Sequence, residues 1–212
     1  MYEPLKITAY PRCGIIADAY LPIDGILFYA AMRQLHGPQM LSTPGHVPDI
    51  EYPTLPLGIR EEHGEWFYAA SFAQWDAYAD GQEHWNKRFD MAQSDLIDFA
   101  GRRGRVIVEQ ARYKSYHMPM FYRHALSVSW YVVGDRAGVS DLLSTMTHIG
   151  KKAAQGWGRI NEWEVNQVGK DWSTYDDDGN LMRSIPAAQG IVYGIRPSYW
   201  LRENQVTCQM PD

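Results

Sequence analysis

Apolar and polar residues alternate from Leu5 to Tyr10, where Leu5, Ile7 and Ala9 oppose Lys6 and Thr8, and this period of two predicts a first β-strand. The period changes over Ile23 to Leu35. Ile26, Leu27, Ala30, Ala31 and Leu35 make one stripe of a helix, with Asp24 near its start and Gly37-Pro38 at its end. Five prolines between residues 38 and 57 then predict an irregular excursion. Leu57–Arg60 and Trp66–Phe72 flank Glu61-Glu62-His63-Gly64 and read as a hairpin. The stretch that follows, as far as Ala100, is aromatic and acidic with no clear period, so residues 38–100 read as an insertion. Strand character returns at Arg105–Tyr113 and is clearest at Ala125–Val133. Val139, Leu142, Leu143, Met146 and Ile149 fall at helical spacing, and Gly150 stands where a left-handed C-terminal cap is expected. Arg159–Val165 reads as the next strand, and Trp172–Ile185 as a hairpin about Asp178-Gly179-Asn180.

Without its insertion this order is βαββαβ. It predicts an α+β, ferredoxin-like (RRM-like) sheet in a single domain over residues 1–212, with residues 171–212 as a C-terminal β extension. Two helices on one face of such a sheet leave the other face free for a ligand. Many functions use this arrangement, so function has to be read from particular residues.

Composition narrows the field. The chain has 212 residues, enough to bury a core. It contains no apolar run near the roughly 20 residues of a membrane helix and no signal-peptide layout. Cys13 and Cys208 are its two cysteines, and their spacing excludes a Cys-x-x-Cys zinc or redox motif and fits a reducing cytoplasm. The net charge of −5 is unevenly spread. Residues 1–100 hold six Lys/Arg against fourteen Asp/Glu, whereas residues 101–170 hold eleven against five. The basic third could meet a polyanion, and the acidic insertion is expected to face protein subunits.

The basic third contains Ile149-Gly150-Lys151-Lys152-Ala153-Ala154-Gln155-Gly156-Trp157-Gly158-Arg159. Glycines allow positive φ and close approach of the backbone to a ligand. Turn amides can converge on an anion. Lys151, Lys152 and Arg159 add charge, and Trp157 offers a face for a base. The combination predicts a phosphate-backbone contact, and it is not a nucleotide P-loop, because Gly-x-x-x-x-Gly-Lys-Ser/Thr is absent.

A second basic cluster is Arg102-Arg103-Gly104-Arg105. Lys114, Tyr116, His117, Tyr122, Arg123 and His124 then interleave rings with cations, in what reads as a loop able to grip displaced nucleotides or to cover the core. The same groups supply the enzymatic alternative, a metal-independent endoribonuclease. In it Tyr116, His117 and His148 would move protons and Lys114 would meet the phosphorane. No catalytic, metal or cofactor motif supports it. Aligned as a calcium loop, Asp176-Asp177-Asp178-Gly179-Asn180 puts Thr174 and Ile185 at positions that need acids.

The segment Ile149–Ile160 after its helix resembles the glycine-rich loop of the RAMP superfamily, the RNA-handling subunits of CRISPR effector complexes. Leu21-Pro22-Ile23-Asp24-Gly25-Ile26-Leu27 and Tyr193-Gly194-Ile195-Arg196-Pro197-Ser198-Tyr199-Trp200 are similar to the type IV subunit of the Cas-five class. The resemblance implies a non-catalytic protein, without cofactor or metal, that caps the 5′ handle of a CRISPR guide RNA. It implies contacts with a large subunit and a backbone subunit, and leaves contact with target DNA near its flanking motif open. The implied loop residues are Gly150, Lys151, Lys152, Gln155, Gly156, Trp157, Gly158 and Arg159. Ala153 and Ala154 stand where such loops often carry basic or hydroxyl residues, which shifts the expected grip toward backbone amides.

Overall fold

The computed structural model describes residues 1–37, 51–100 and 104–211. Strand β1 (Glu3–Pro11) is followed by helix α1 (Ile23–His36), a short hairpin of β2 (Ile59–Glu62) and β3 (Glu65–Tyr68), and the long strands β4 (Gln74–Lys87) and β5 (Tyr116–Gly134). Helix α2 (Arg136–Ser144), β6 (Ile160–Gln167), β7 (Ile185–Gly194) and β8 (Gln205–Gln209) complete the chain. The main sheet has the order β4-β5-β1-β6, and every neighbouring pair is antiparallel. The protein is therefore α+β, and its two helices follow the first and third strands of that sheet.

The core lies on one face. Leu5, Ile7 and Ala9 of β1 and Val128, Trp130 and Val132 of β5 meet Ile23, Leu27 and Ala30 of α1 and Val139, Leu142 and Leu143 of α2. Leu35, expected on the buried stripe of α1, is exposed instead, beyond the reach of the sheet. Asp135 caps α2 by accepting from the Gly138 amide at 2.9 Å. The helix stops at Ser144, where the Thr145 hydroxyl donates back to the Leu142 carbonyl at 2.8 Å. Met146 and Ile149 are buried after the helix, not in it, so Gly150 is not its cap.

Two corrections concern the sheet. Residues 74–87, expected inside an insertion, form the edge strand β4, and the strand expected at Arg105–Tyr113 is irregular apart from one 3₁₀ turn at Ala111–Tyr113. Beyond Ala79, β4 pairs only with β5, as far as Lys87 opposite Tyr116. This part is a two-stranded ribbon that projects past the helices. With little to bury, it carries no alternation to read. The expected loop at 114–124 is thus mostly strand, and β5 starts nine residues before Ala125. The excursion at 38–50 lies outside the described residues.

The face away from the helices is acidic. Tyr10 donates to Glu164 at 3.1 Å, and Glu162 lies across from Tyr10 in the β1–β6 register. Trp172 packs edge-on against Tyr131, with ring centres 5.0 Å apart, and donates from its indole nitrogen to Asp177 at 3.0 Å. This face, expected to be free for a ligand, also carries Lys6, 5.9 Å over the Tyr131 ring, and Lys170, which pairs with Asp177 at 2.9 Å, so its carboxylates are partly balanced. The 176–180 segment is the turn of the expected reversal: Tyr175 and Leu181 form an isolated antiparallel bridge and the Met182 amide donates to the Thr174 carbonyl at 2.8 Å, without extended strands on either side. The Asp176 carboxylate accepts from Asn180 and from the Asp178 amide, which holds it below the ordinary carboxylate range. Among the described residues, no helix is long and apolar enough to cross a membrane.

The C-terminal segment is joined to the sheet domain by Arg183, a fully buried arginine. Its guanidinium donates to the carbonyls of Tyr68, Ala70 (2.9 Å), Ser184 (3.1 Å) and Ile195 (2.6 Å) and stacks over Phe67 at 4.8 Å. Asp24, at the start of α1, lies 3.9 Å away and accepts from the Tyr199 hydroxyl. Removing one member of a buried pair strands the other charge, so Arg183→Met is expected to cost about 3–5 kcal/mol in urea unfolding. Burial raises the Asp24 pKa, against the opposing pull of Arg183. A raised folded pKa contributes stability that is complete below the unfolded value, about 4, and is lost as pH rises through the folded value. The melting-temperature difference between the protein and Asp24→Asn should therefore move in favour of the parent on acidification from neutrality.

Candidate nucleic-acid interface

The glycine loop is folded against the segment that follows β1. The Lys151 amide donates to the Ile16 carbonyl at 2.6 Å and the Gly158 amide to the Gly14 carbonyl at 2.9 Å. The Ile149 amide closes the loop onto the Gly158 carbonyl at 2.9 Å. Gly150 and Gly158 both have positive φ, and a Cβ at either would overlap a carbonyl oxygen, of Ile16 and Ile149 respectively. Between them, Lys152 is left-handed at φ 65 and Ala153–Gln155 make a single 3₁₀ turn. The amides of Gln155 and Gly156 are taken by Lys152 and Ala153 carbonyls. The amides of Lys151, Gln155, Gly156 and Gly158 are thus used inside the protein, whereas those of Lys152, Ala153 and Ala154 make no hydrogen bond among the described residues. The loop also presents side chains outward: Lys151, Gln155 and Arg159 are exposed, and Lys152 and Trp157 partly so.

Those side chains meet the ribbon. Tyr116, Tyr122 and Met118 of β5 share a face with Trp85 and Lys87 of β4, because directly paired residues project to the same side. Gly81, opposite Tyr122, lets the phenol lie across the strand where a Cβ would collide with it. Trp157 packs on Tyr122 with ring centres 4.8 Å apart, and the Lys152 ammonium sits 4.2 Å over Trp85. Trp85 in turn stacks near Tyr116 at 6.0 Å, and Lys87 and Lys114 approach the Tyr116 ring at 5.7 and 5.6 Å. Three ammonium groups and two rings make one corner, where a sugar-phosphate strand gains both charge and stacking surface.

The remaining sequence-derived residues divide. Lys151 is held by Asp18 at 2.7 Å, and Arg123 by Asp80 at 2.9 Å while lying over Trp75. Arg105 is exposed beyond the ribbon, beside Met91 and Phe99. Arg102 and Arg103 lie outside the described residues. His117 projects from the opposite face to Tyr116 and stacks on His84, rings parallel and 4.3 Å apart. His148 is in the loop's base, bridged to Arg159 and next to Thr147. Tyr116, His117 and His148, named for the nuclease alternative, therefore lie on different surfaces, and His117 has a second imidazole, His84, beside it.

Three residues escaped the sequence reading. Trp85 and Lys87 belong to the stretch taken as an acidic, protein-facing insertion, although Trp85-Asn86-Lys87-Arg88 interleaves rings and cations just as 114–124 does. Arg12 is exposed and its amide donates to the Arg159 carbonyl at 2.8 Å, a proximity that only strand pairing creates. The loop geometry yields a graded test by thermal melting. Gly156→Ala, with open space around it but φ 90, should lose about 1 kcal/mol, and Gly158→Ala should lose distinctly more because the Ile149 carbonyl must move.

Comparison with known proteins follows the same residues. No curated protein matches the chain. The family model described as CRISPR type IV associated protein Csf3 matches residues 3–211, which spans β1, the ribbon, the glycine loop and the segment anchored by Arg183. The chain belongs to the CRISPR type IV associated Csf3 family.

Proposed function

We propose that this chain is the non-catalytic subunit that caps the 5′ handle of the guide RNA in a type IV CRISPR ribonucleoprotein, with contacts to its large and backbone subunits. The observation that carries this reading is the corner at which Lys152 covers Trp85 beside Lys87, Lys114 and Tyr116. Such a surface suits single-stranded RNA, since the cations follow the backbone and the rings stack with any base. Sequence choice in guide-directed complexes resides in base pairing, so the protein needs mainly to hold the strand. The strand order second-third-first-fourth, with helices after the first and third, supports a ferredoxin-like core for this subunit.

The acidic outer face of the sheet favours the corner over that face as the RNA site and suits it to protein neighbours. Cleavage is disfavoured because Tyr116 and His117 project from opposite faces of the ribbon and His148 belongs to the loop base. A cutting site needs its acid and base within reach of one phosphodiester.

Purification of the assembled complex tests both points. Lys87→Glu with Lys152→Glu should reduce retained guide RNA about tenfold or more, and the log–log salt slope of binding should become shallower by about 0.7 per lost phosphate contact. Unchanged retention by the folded double variant would count against the corner as the RNA site. Incubation of the purified chain with a repeat transcript in chelator should give no cutting; cutting that disappears in His117→Ala or His148→Ala would establish the nuclease instead.

A further inference from the structure

We propose that a cleft beside the glycine loop binds one unstacked nucleobase of the RNA and prefers guanine. This rests on the RNA-binding reading and adds a base-selective subsite to it. The cleft, of about 290 Å³, lies between the segment after β1 and the ribbon, with Trp75, Phe121 and Tyr122 as ring walls and Asp18, Asp80 and Arg123 as its charged groups. That volume is at the small end of ligand sites, which start at about 300 Å³.

The cleft is joined to the loop at two points. Asp18 holds Lys151, and Tyr122 packs on Trp157. Asp80, Phe121 and Arg123 project from the ribbon face opposite that of Trp85, Lys87 and Tyr116, so a strand held at the corner reaches the cleft by turning round the ribbon beside Tyr122, toward Lys151. Phe121, 67% exposed on the ribbon, supplies a stacking face that the fold leaves without a partner ring among the described residues.

The charges decide which part of a nucleotide enters. Both carboxylates are ion-paired, with Lys151 and Arg123, so among the described residues the cleft offers a phosphodiester no unpaired cation, and the backbone stays outside with the corner lysines. A neutral base needs no such cation. Asp18 and Asp80 each use Oδ1 for their ion pairs, with Lys151 and Arg123, and Oδ2 of each makes no hydrogen bond among the described residues. A carboxylate accepts from adjacent N–H donors in a bidentate manner. Guanine presents two such donors together, N1–H and the N2 amino group. Uracil places its one N–H between two acceptors, and adenine and cytosine place their amino group beside an acceptor nitrogen.

The test is fluorescence anisotropy of the full chain with short oligouridylates that carry a single guanine at successive positions. One placement should bind about tenfold more tightly than the all-uridine strand, the order expected of a good bidentate base contact. Inosine at that placement, which lacks the N2 amino group, should lose most of the gain. In Asp80→Asn and Asp18→Asn, both exposed sites whose folding is checked by melting, the guanine-to-uridine ratio should fall toward one for the carboxylate that makes the contact. Binding that ignores guanine at every placement overturns the cleft and leaves the RNA corner standing. A guanine preference that survives in both variants also overturns the cleft. Failure of every oligomer to bind overturns the cleft and the RNA corner together.

Discussion

One buried arginine supplies the hydrogen bonds on which the arrangement of the chain's two ends depends. The backbone from Tyr68 to Ala70 leaves β3 and crosses to the main sheet, so its carbonyls lack a ladder partner on the side facing the C-terminal segment. Buried carbonyls without donors are costly. Arg183 provides several N–H groups in a rigid fork and reaches four carbonyls from three parts of the chain. Its charge is balanced by Asp24 at the first turn of α1, and Tyr199 completes the set by donating to that carboxylate. The helix start, the β2–β3 hairpin and the C-terminal strands are thereby fixed to one another without a large apolar interface. The apolar cluster there is small, made of Phe67, Ile185, Ile195 and Cys208.

A similar economy shapes the glycine loop. Gly150 serves close backbone approach to Ile16 and Gly158 to Ile149, while the Gly158 amide also donates to the Gly14 carbonyl. The 14–16 segment pairs with β5 through Ile15 and Arg123, so loop and ribbon are both referred to one short piece of backbone. Exposed side chains then stand beside the amides of Lys152, Ala153 and Ala154, which make no hydrogen bond among the described residues. Among the described residues Lys152, Lys87 and Lys114 stand over rings and make no ion pair with a carboxylate, Lys87 donating to the Arg112 carbonyl at 2.7 Å, so their charge faces a polyanion. Lys151 and Arg123 are instead held by aspartates. Within one basic region the fold thus separates cations that can meet phosphate from cations that are locally neutralised.

Charge is also sorted in space more finely than along the chain. The outer sheet face collects Glu162, Glu164 and the aspartate turn, while the ribbon takes Lys87 and Trp85 from a stretch that is acidic on average. Net charge over a hundred residues therefore misplaced that strand. An edge strand contributes to whichever surface its partner strand reaches, and alternate residues can serve opposite faces.

The sequence determined the elements that bury one face: β1, α1 and the inner half of β5 were legible because their apolar residues recur at the period of the structure they form. It also determined the special character of residues 149–159, since three glycines interleaved with cations have no role in a plain turn. Only the tertiary structure decided that 74–87 is a sheet strand, that 114–124 is the other half of its ribbon, and that Lys152 meets Trp85. A ribbon exposed on both faces leaves no periodic trace in its residues. A contact between positions some seventy residues apart is set by pairing and packing, which local pattern does not encode.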